Sequence, residues 1–171
     1  TNTTVVAPGT TSTTYEMWFR QSNTTPSTQG LLQTRSGTTG GDGIDVSITN
    51  GNITVSTSGS FLLVGAGTVN PNTWYHLAVV RNGATAWTVY LNGSSIGTFS
   101  FSSTTSTDLS LGRKSAVGYD EFFIGNISNF RYVKGTAVYT ANFTPPTAAL
   151  TAISGTQLLL NTYTGNGFLN D

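Results

Sequence analysis

Residues 72–93 read NTWYHLAVVRNGATAWTVYLNG, a stretch that contains two strands and the turn between them. Residues 74–81 and 87–91 are rich in β-branched and aromatic side chains, which are typical of strands. Asn82-Gly83 lies between these two runs, and Asn-Gly is a strong hairpin signal because both residues tolerate a positive φ. The stretch therefore predicts a β-hairpin.

The same turn signal recurs on both sides of this hairpin. Asn92-Gly93 leads on to residues 96–101, and Asn50-Gly51 joins residues 44–48 to residues 53–55. Other short runs with apolar–polar alternation also predict strands, and they lie at residues 15–20, 109–111, 122–124, 127–133 and 158–160. Many short strands separated by turns are typical of a sandwich or jelly roll. We therefore predict an all-β fold, an antiparallel β-sandwich of jelly-roll type.

The composition narrows the range of partners. The chain of 171 residues carries seven basic and seven acidic residues, so its net charge gives no electrostatic reason to expect nucleic acid as a partner. No apolar run reaches the roughly 18 residues of a membrane-spanning helix, so no membrane insertion is expected. The absence of cysteine excludes disulfides and thiol catalysis.

Several segments around the opening stretch carry a shared signature. Its central strand and hairpin follow a W-x-H-L-A pattern and then an N-G turn, formed by Trp74, His76, Leu77, Ala78, Asn92 and Gly93. YEMWFR at 15–20, LSLGR at 109–113 and FFIGNISNFRYVKGTAVY at 122–139 match an early strand and a typical ending. With these motifs the chain resembles the laminin-G-like domains of the concanavalin A-like lectin/glucanase superfamily over nearly its whole length. The resemblance implies the same sandwich fold.

A narrower resemblance concerns residues 127–160, ISNFRYVKGTAVYTANFTPPTAALTAISGTQLLL. This segment is similar to laminin-G-like domains in structural proteins of tailed bacteriophages, notably marine and cyanobacterial phages, where such domains occur in tail fibres. The resemblance implies an extracellular or virion-surface location. It also implies other copies of the chain or virion proteins as partners.

The chain contains no linker that would divide it, so we predict a single domain over residues 1–171. Residues 1–14 are a Thr-rich leader ahead of the first predicted strand. Residues 156–171 resemble the strand that usually opens such domains, and a fourth Asn-Gly pair, Asn166-Gly167, lies within them. This terminal strand completes the chain's own sheet or pairs with a neighbouring chain, because an open sheet edge recruits a strand.

The sequence lacks the residues that catalysis on this fold needs. The related β-glucanases use an E-x-D-x-x-E strand with two carboxylates on either side of the glycosidic bond, and this pattern is absent. Asp120 and Glu121 are adjacent and point to opposite faces of an extended strand. The single histidine, His76, matches a structural residue of the family, and zinc would need three or four His or Cys ligands. We predict that the protein is not an enzyme.

Two candidate sugar-binding sites combine aromatic rings with polar side chains, as glycan recognition requires. The first places Tyr119 and the neighbouring phenylalanines beside Asp120 and Glu121, and the second uses Trp87 as an exposed ring. Asp42, in a glycine-rich loop, is a further candidate ligand-binding residue. The other large aromatic residues are predicted to be core, namely Trp18, Trp74, Phe123 and Phe130.

Calcium is the one cofactor that the sequence suggests. Laminin-G-like domains often bind this ion through loop oxygens, and glycine- and asparagine-rich loops can supply carbonyl ligands. The candidate carboxylates are Asp42, Asp45 and Asp120. The competing interpretation is that these residues form ordinary Asx turns.

Two functional hypotheses follow from these residues and from the resemblance. The first is a non-catalytic carbohydrate-binding or adhesion module, displayed on a virion appendage or cell exterior, whose partner is a glycan or cell-surface polysaccharide. The second is a structural decoration, fibre or filament subunit that acts through protein–protein contacts, including strand exchange.

Overall fold

The computed structural model describes residues 2–4, 7–35, 42–57, 60–103, 106–116 and 119–161. These residues form fourteen strands and no helix, so none of them belongs to a helix that could cross a membrane. The strands are β1 (Asn2–Thr4), β2 (Thr13–Gln21), β3 (Thr28–Gln33), β4 (Asp45–Thr49), β5 (Asn52–Thr57), β6 (Ser60–Thr68), β7 (Trp74–Asn82), β8 (Ala86–Leu91), β9 (Ser94–Ser100), β10 (Asp108–Leu111), β11 (Arg113–Ala116), β12 (Tyr119–Phe122), β13 (Gly125–Lys134) and β14 (Thr156–Leu160).

The strands form two antiparallel sheets of six and one short hairpin. The first sheet has the order β1-β10-β3-β4-β5-β6, and the second has the order β14-β13-β2-β7-β8-β9. The hairpin consists of β11 and β12. The predicted antiparallel β-sandwich is therefore confirmed.

Three predicted Asn-Gly turns lie where the sequence places them. Asn50 and Asn92 both have φ of 50°, and Gly51, Gly83 and Gly93 are also in the left-handed region. These turns join β4 to β5, β7 to β8 and β8 to β9. The fourth pair, Asn166-Gly167, lies outside the described residues.

The strand predictions were incomplete at several places. The strand predicted at residues 122–124 was wrong, because β12 ends at Phe122 and the chain leaves the ladder before β13. Strands β3 and β6 were not predicted. The predicted leader at residues 1–14 contains β1, which pairs with β10, and the first residues of β2. At the other end of the chain, β14 pairs with β13 of the same chain.

The core lies between the two sheets and follows the period of two. Tyr15, Met17 and Phe19 of β2 are buried on the inner face, and Leu77 and Val79 of the neighbouring β7 lie beside them. The first sheet contributes aliphatic side chains to the same cluster, including Leu32, Val46, Ile48, Ile53 and Val55. The alternate residues of β2 and β7 therefore face outward.

Residues 135–155, which we call the cover segment, pack across part of this outer face. Tyr139 and Phe143 of the cover segment contact a second apolar cluster formed by Ala78, Val80 and Tyr90 of the second sheet. The rings of Tyr139 and Phe143 stack at a centroid distance of 3.6 Å. The outer face is thus covered at its centre.

Gly93 holds the cover segment against the β8–β9 turn, and its replacement is expected to destabilise the protein. The backbone N–H of Phe143 donates to the carbonyl oxygen of Gly93 at 2.9 Å, and a Cβ at Gly93 would collide with the carbonyl oxygen of Phe143. Gly93→Ala is expected to cost more than the about 1–2 kcal/mol of a left-handed non-glycine residue. Thermal or urea unfolding measures this cost.

Gly83→Ala is the matched control for this substitution. Gly83 has the same φ of 77° in an Asn-Gly turn, but a Cβ there would meet no atom within 4 Å. Gly83→Ala is therefore expected to lose only the free energy that a non-glycine residue costs in the left-handed conformation. Equal losses in the two variants would show that the contact with the cover segment contributes nothing.

Candidate functional site

Asp120 and Glu121, which we call the acidic rim, were predicted to bind a sugar together with Tyr119, but ion pairs largely occupy both carboxylates. Asp120 Oδ1 accepts a hydrogen bond from Arg113 Nη2 at 2.9 Å, and Lys114 Nζ lies 2.9 Å from Glu121 Oε2. The Arg113 hydrogen bond lowers the pKa of Asp120. The two carboxylates and residues 26–28 line a groove of about 270 Å³. The side chain of Tyr119 lies outside the described residues.

The prediction that Trp87 is an exposed ring was wrong. Trp87 is only 2% exposed, stacks on Phe99 at 5.6 Å and donates from Nε1 to the carbonyl oxygen of Phe101 at 2.8 Å. The guanidinium of Arg81 lies over the Trp87 ring, 5.3 Å from the ring centroid. Trp87 is a core residue, so it cannot offer a ring face to a ligand.

The three predicted calcium ligands do not come together. Asp45 is fully buried and accepts a hydrogen bond from Arg35 Nε at 2.7 Å, while Asp120 is on β12 and pairs with Arg113. Burial raises the pKa of Asp45 in spite of Arg35. Across the described ranges, no three His, Cys, Asp or Glu side chains form a group that could hold a metal ion. The three predicted carboxylates therefore do not form one shared metal site in the described part of the chain, and Asp42 is only partly buried in its loop.

A different groove lies on the outer face of the second sheet, and it contains two tryptophans. The prediction that Trp74 and Trp18 are core residues was wrong, because Trp74 is 43% exposed and Trp18 is only partly buried. The groove has a volume of about 420 Å³. We call it the tryptophan groove, and its lining residues are Trp18, Trp74, Ser128, Asn129, Pro146, Thr147, Ala148 and Ala149.

Strand register explains why these side chains meet. In the antiparallel β2–β7 pair, Trp18 lies opposite His76 and Arg20 lies opposite Trp74, so the two tryptophans are diagonal neighbours on one face. Ser128 and Asn129 lie where the β13–β2 register shifts, and Asn129 has φ of 51°. The bulge places an amide side chain beside the aromatic rings. One wall of the groove is therefore sheet, and the other is the cover segment.

A buried polar cluster lies beside the groove and supports both walls. Glu16 Oε1 accepts hydrogen bonds from Arg131 Nε and Nη2 at 2.8 and 2.6 Å, and Glu16 Oε2 accepts one from the Tyr139 hydroxyl at 2.7 Å. His76 Nε2 lies 3.3 Å from the same oxygen, and its ring meets Trp18 edge-on at 5.4 Å. We call these four residues, Glu16, His76, Arg131 and Tyr139, the Glu16 cluster.

The Glu16 cluster holds the cover segment on both sides of the groove. Tyr139 precedes the groove-lining residues 146–149, and the Thr151 carbonyl, which follows them, accepts a hydrogen bond from Arg131 Nη1 at 2.7 Å. Burial alone would raise the pKa of Glu16, but His76, Tyr139 and Arg131 together lower it. The carboxylate is therefore charged at neutral pH, and this charge anchors one wall of the groove.

The chain thus combines a β-sandwich with an aromatic groove across the outer face of one sheet. The sequence profile of the concanavalin A-like lectin/glucanases superfamily matches residues 1–152. The chain belongs to this superfamily. Among curated proteins, no sequence matches the chain.

Solved structures show the same fold at low sequence identity. A candidate carbohydrate-binding protein from Bacteroides ovatus is 16% identical, with a TM-score of 0.65 over 96% of this chain and 51% of that one. The CBM40 module of the Ruminococcus gnavus IT-sialidase is 15% identical, with a TM-score of 0.58 over 81% of this chain and 94% of that one. Domains LG4-5 of the mouse laminin α1 chain are 16% identical, with a TM-score of 0.55 over 79% of this chain and 40% of that one. The chain thus spans about half of the Bacteroides ovatus protein and less of the laminin fragment.

The outward position of Trp74 could have been predicted from the sequence by comparing the two alternating sets of residues in 74–80. Strict alternation in residues 74–80 places Tyr75, Leu77 and Val79 on one face, which leaves Trp74 and His76 on the other. Because Tyr75, Leu77 and Val79 are the apolar set, they are expected to face the core, and Trp74 is then expected to face outward. The contribution of the cover segment carries no such signal, because residues 146–149 follow no strand or helix period.

Proposed function

We propose that the protein is a non-catalytic glycan-binding module whose ligand lies in the tryptophan groove. The observation that carries this proposal is the pair of outward-facing tryptophans, Trp18 and Trp74, beside the neutral polar side chains of Ser128, Asn129 and Thr147. Sugar rings have an apolar face that stacks on aromatic rings, and their hydroxyls pair with a few polar groups. The groove supplies both kinds of contact.

The fold neighbours support a glycan rather than another small molecule as the ligand. One neighbour is described as a candidate carbohydrate-binding protein, and the CBM40 module also has a structure with α2,6 sialyllactose bound. Their low identity to this chain means that the tryptophan groove itself carries the argument. We further propose extracellular or virion-appendage display, which the resemblance of residues 127–160 to phage structural proteins supports.

The absence of catalysis is proposed from the chemistry of the groove. Glycoside hydrolysis needs two carboxyl groups flanking the scissile bond. None of the eight lining residues is acidic, and the nearby Glu16 is buried and held by Arg131. Incubation with a bound oligosaccharide, followed by chromatography of the products, tests this part of the proposal.

Trp74→Ala is expected to weaken glycan binding by about tenfold or more. The truncation of a central aromatic contact at a recognition surface typically costs about 2 kcal/mol or more, and 1.4 kcal/mol corresponds to a factor of ten. A glycan array identifies the ligand of the unmodified protein, and isothermal titration calorimetry then compares its affinity for Trp74→Ala and Trp18→Ala.

Phe122→Ala is the matched control for this measurement. Phe122 is 57% exposed and lies on β12 near the acidic rim, outside the tryptophan groove. Its replacement is expected to leave the affinity unchanged. Loss of binding in Phe122→Ala with full binding in Trp74→Ala would transfer the site to the rim at Asp120 and Glu121. Absence of binding to any glycan would refute the proposal.

A second candidate function is a structural one, and the outermost strand of the first sheet favours it. Phe61 and Val64 on β6 are 72% and 65% exposed, and β6 is the last strand of its sheet. Exposed apolar side chains on a sheet edge are typical of protein–protein contacts. Light scattering that gives a multimeric mass, together with an empty glycan array, would favour this function.

A further inference from the structure

We propose that the tryptophan groove selects acidic oligosaccharides and that Arg20 is the residue that pairs with their carboxylate. This inference rests on the proposed function, because it names the class of glycan that the same groove takes. It assigns the charged group of the ligand to the end of the groove at Trp74.

The position of Arg20 follows from the sheet register. Arg20 lies directly opposite Trp74 in the β2–β7 pair, so both side chains stand on the outer face. Directly opposed residues have Cβ atoms about 4.5–5.5 Å apart. No stacking of Arg20 on Trp74 occurs, since the cation–π contact in the described part of the chain is that of Arg81 with Trp87. Both the indole face and the guanidinium are therefore available to one ligand.

The charge of Arg20 is not balanced within the described residues. Four of the other cations form ion pairs with carboxylates, namely Arg35, Arg113, Lys114 and Arg131. A fifth, Arg81, donates to backbone carbonyls. Arg20 has a neutral partner instead, because its Nη2 donates to Asn72 Oδ1 at 3.0 Å, and its remaining guanidinium donors have no acceptor among the described residues. Arg20 is partly exposed, and an arginine with free donors pairs well with a carboxylate, often with two parallel hydrogen bonds.

In the part of the chain that the structure describes, no unpaired carboxylate lies on this face. Glu16 is the one carboxylate in the described residues of the second sheet, and it is fully buried and neutralised by Arg131. The eight residues that line the groove are all uncharged. Arg20 does not itself line the groove, but it stands directly opposite the groove-lining Trp74. It is therefore the cation that a ligand extending past Trp74 would meet. A neutral sugar gains the ring contacts alone, whereas an acidic sugar gains these contacts and a charge-assisted hydrogen bond.

Paired neutral and acidic probes test this inference. The probes are lactose against α2,3 sialyllactose, and a methyl-esterified oligogalacturonate against the free acid, measured by calorimetry at low and high salt. The unmodified protein is expected to bind the acid of at least one pair about tenfold or more tightly, since a hydrogen bond to a charged group contributes about 1.5–3 kcal/mol. High salt is expected to reduce this preference.

Substitutions at Arg20 separate charge recognition from folding. Arg20→Gln is expected to reduce the affinity for the acidic probe far more than the affinity for the neutral probe, so that the preference for the acid is lost while the unfolding midpoint stays the same. Arg20→Lys is expected to restore part of the preference. Lys134→Gln is the control, because Lys134 lies opposite Thr13 at the other end of β2 and has no carboxylate partner in the described residues.

Two outcomes would overturn the inference, and they differ from failure of the proposed function. Equal binding of both members of each pair, or a preference that survives in Arg20→Gln, would show that the groove does not read charge, although it binds glycans. Failure to bind any of the four probes, together with an empty glycan array, would reject the glycan-binding function itself.

Discussion

Replacement of Arg131 by methionine is expected to lower the free energy of unfolding by about 3–5 kcal/mol, because it leaves a buried charge without its partner. Glu16 is fully buried, and Arg131 supplies two of its hydrogen bonds, at 2.6 and 2.8 Å. Methionine retains much of the apolar length of the arginine stem, so the main change is electrostatic. Urea unfolding at neutral pH measures the loss.

Arg113→Met provides the matched control for the same chemical change. Arg113 also pairs with a carboxylate, Asp120, but both side chains of this pair are about one third exposed. Water solvates the remaining carboxylate there, so the free energy of unfolding is expected to change little. If Arg131→Met is as stable as Arg113→Met, burial of the Glu16 cluster is not what makes the ion pair necessary.

Trp87→Ala is expected to destabilise the fold by about 3–5 kcal/mol, the usual cost of removing a large aromatic side chain from a core. The indole is 2% exposed, stacks on Phe99 and donates a hydrogen bond to Phe101. Its loss also removes the contact of the ring with Arg81, whose pKa burial already lowers. Thermal unfolding followed by circular dichroism measures the effect.

Trp74→Ala removes the same group from the exposed end of β7 and is the control for Trp87→Ala. With 43% of its surface exposed, Trp74 is expected to contribute much less to stability than Trp87. The two substitutions should therefore have different effects: Trp87→Ala should impair folding, and Trp74→Ala should impair binding. Equal destabilisation by both substitutions would contradict this assignment.

The hairpins were predictable because their signals are local. Asn-Gly turns require a positive φ that few other residue pairs adopt readily, and the strands beside them alternate with a period of two. The pairing of β1 with β10 was not predictable in this way, because three Thr-rich residues carry no distinctive pattern. Such a pairing depends on the edge that the rest of the sheet leaves open.

The candidate site was predicted less well, because local sequence does not give the burial of an aromatic residue. Trp87 follows a turn, which suggested exposure, but the β8–β9 pairing directs it toward Phe99 and the core. Trp18 was predicted to be core, but it faces outward and lines the groove. The groove beside it needs residues 135–155 to lie across the sheet. The groove-lining residues 146–149 of this segment are far in sequence from Trp18 and Trp74, so no local pattern indicates their contact.

The two walls of the tryptophan groove differ in how freely they can change. Trp18 and Trp74 belong to paired strands, whereas Thr147, Ala148 and Ala149 are exposed and lie outside both apolar clusters. Substitutions at these three positions alter the shape of the groove at little cost in folding energy. Mutational drift or a randomised library at residues 147–149 can therefore yield new binding specificities on an unchanged scaffold.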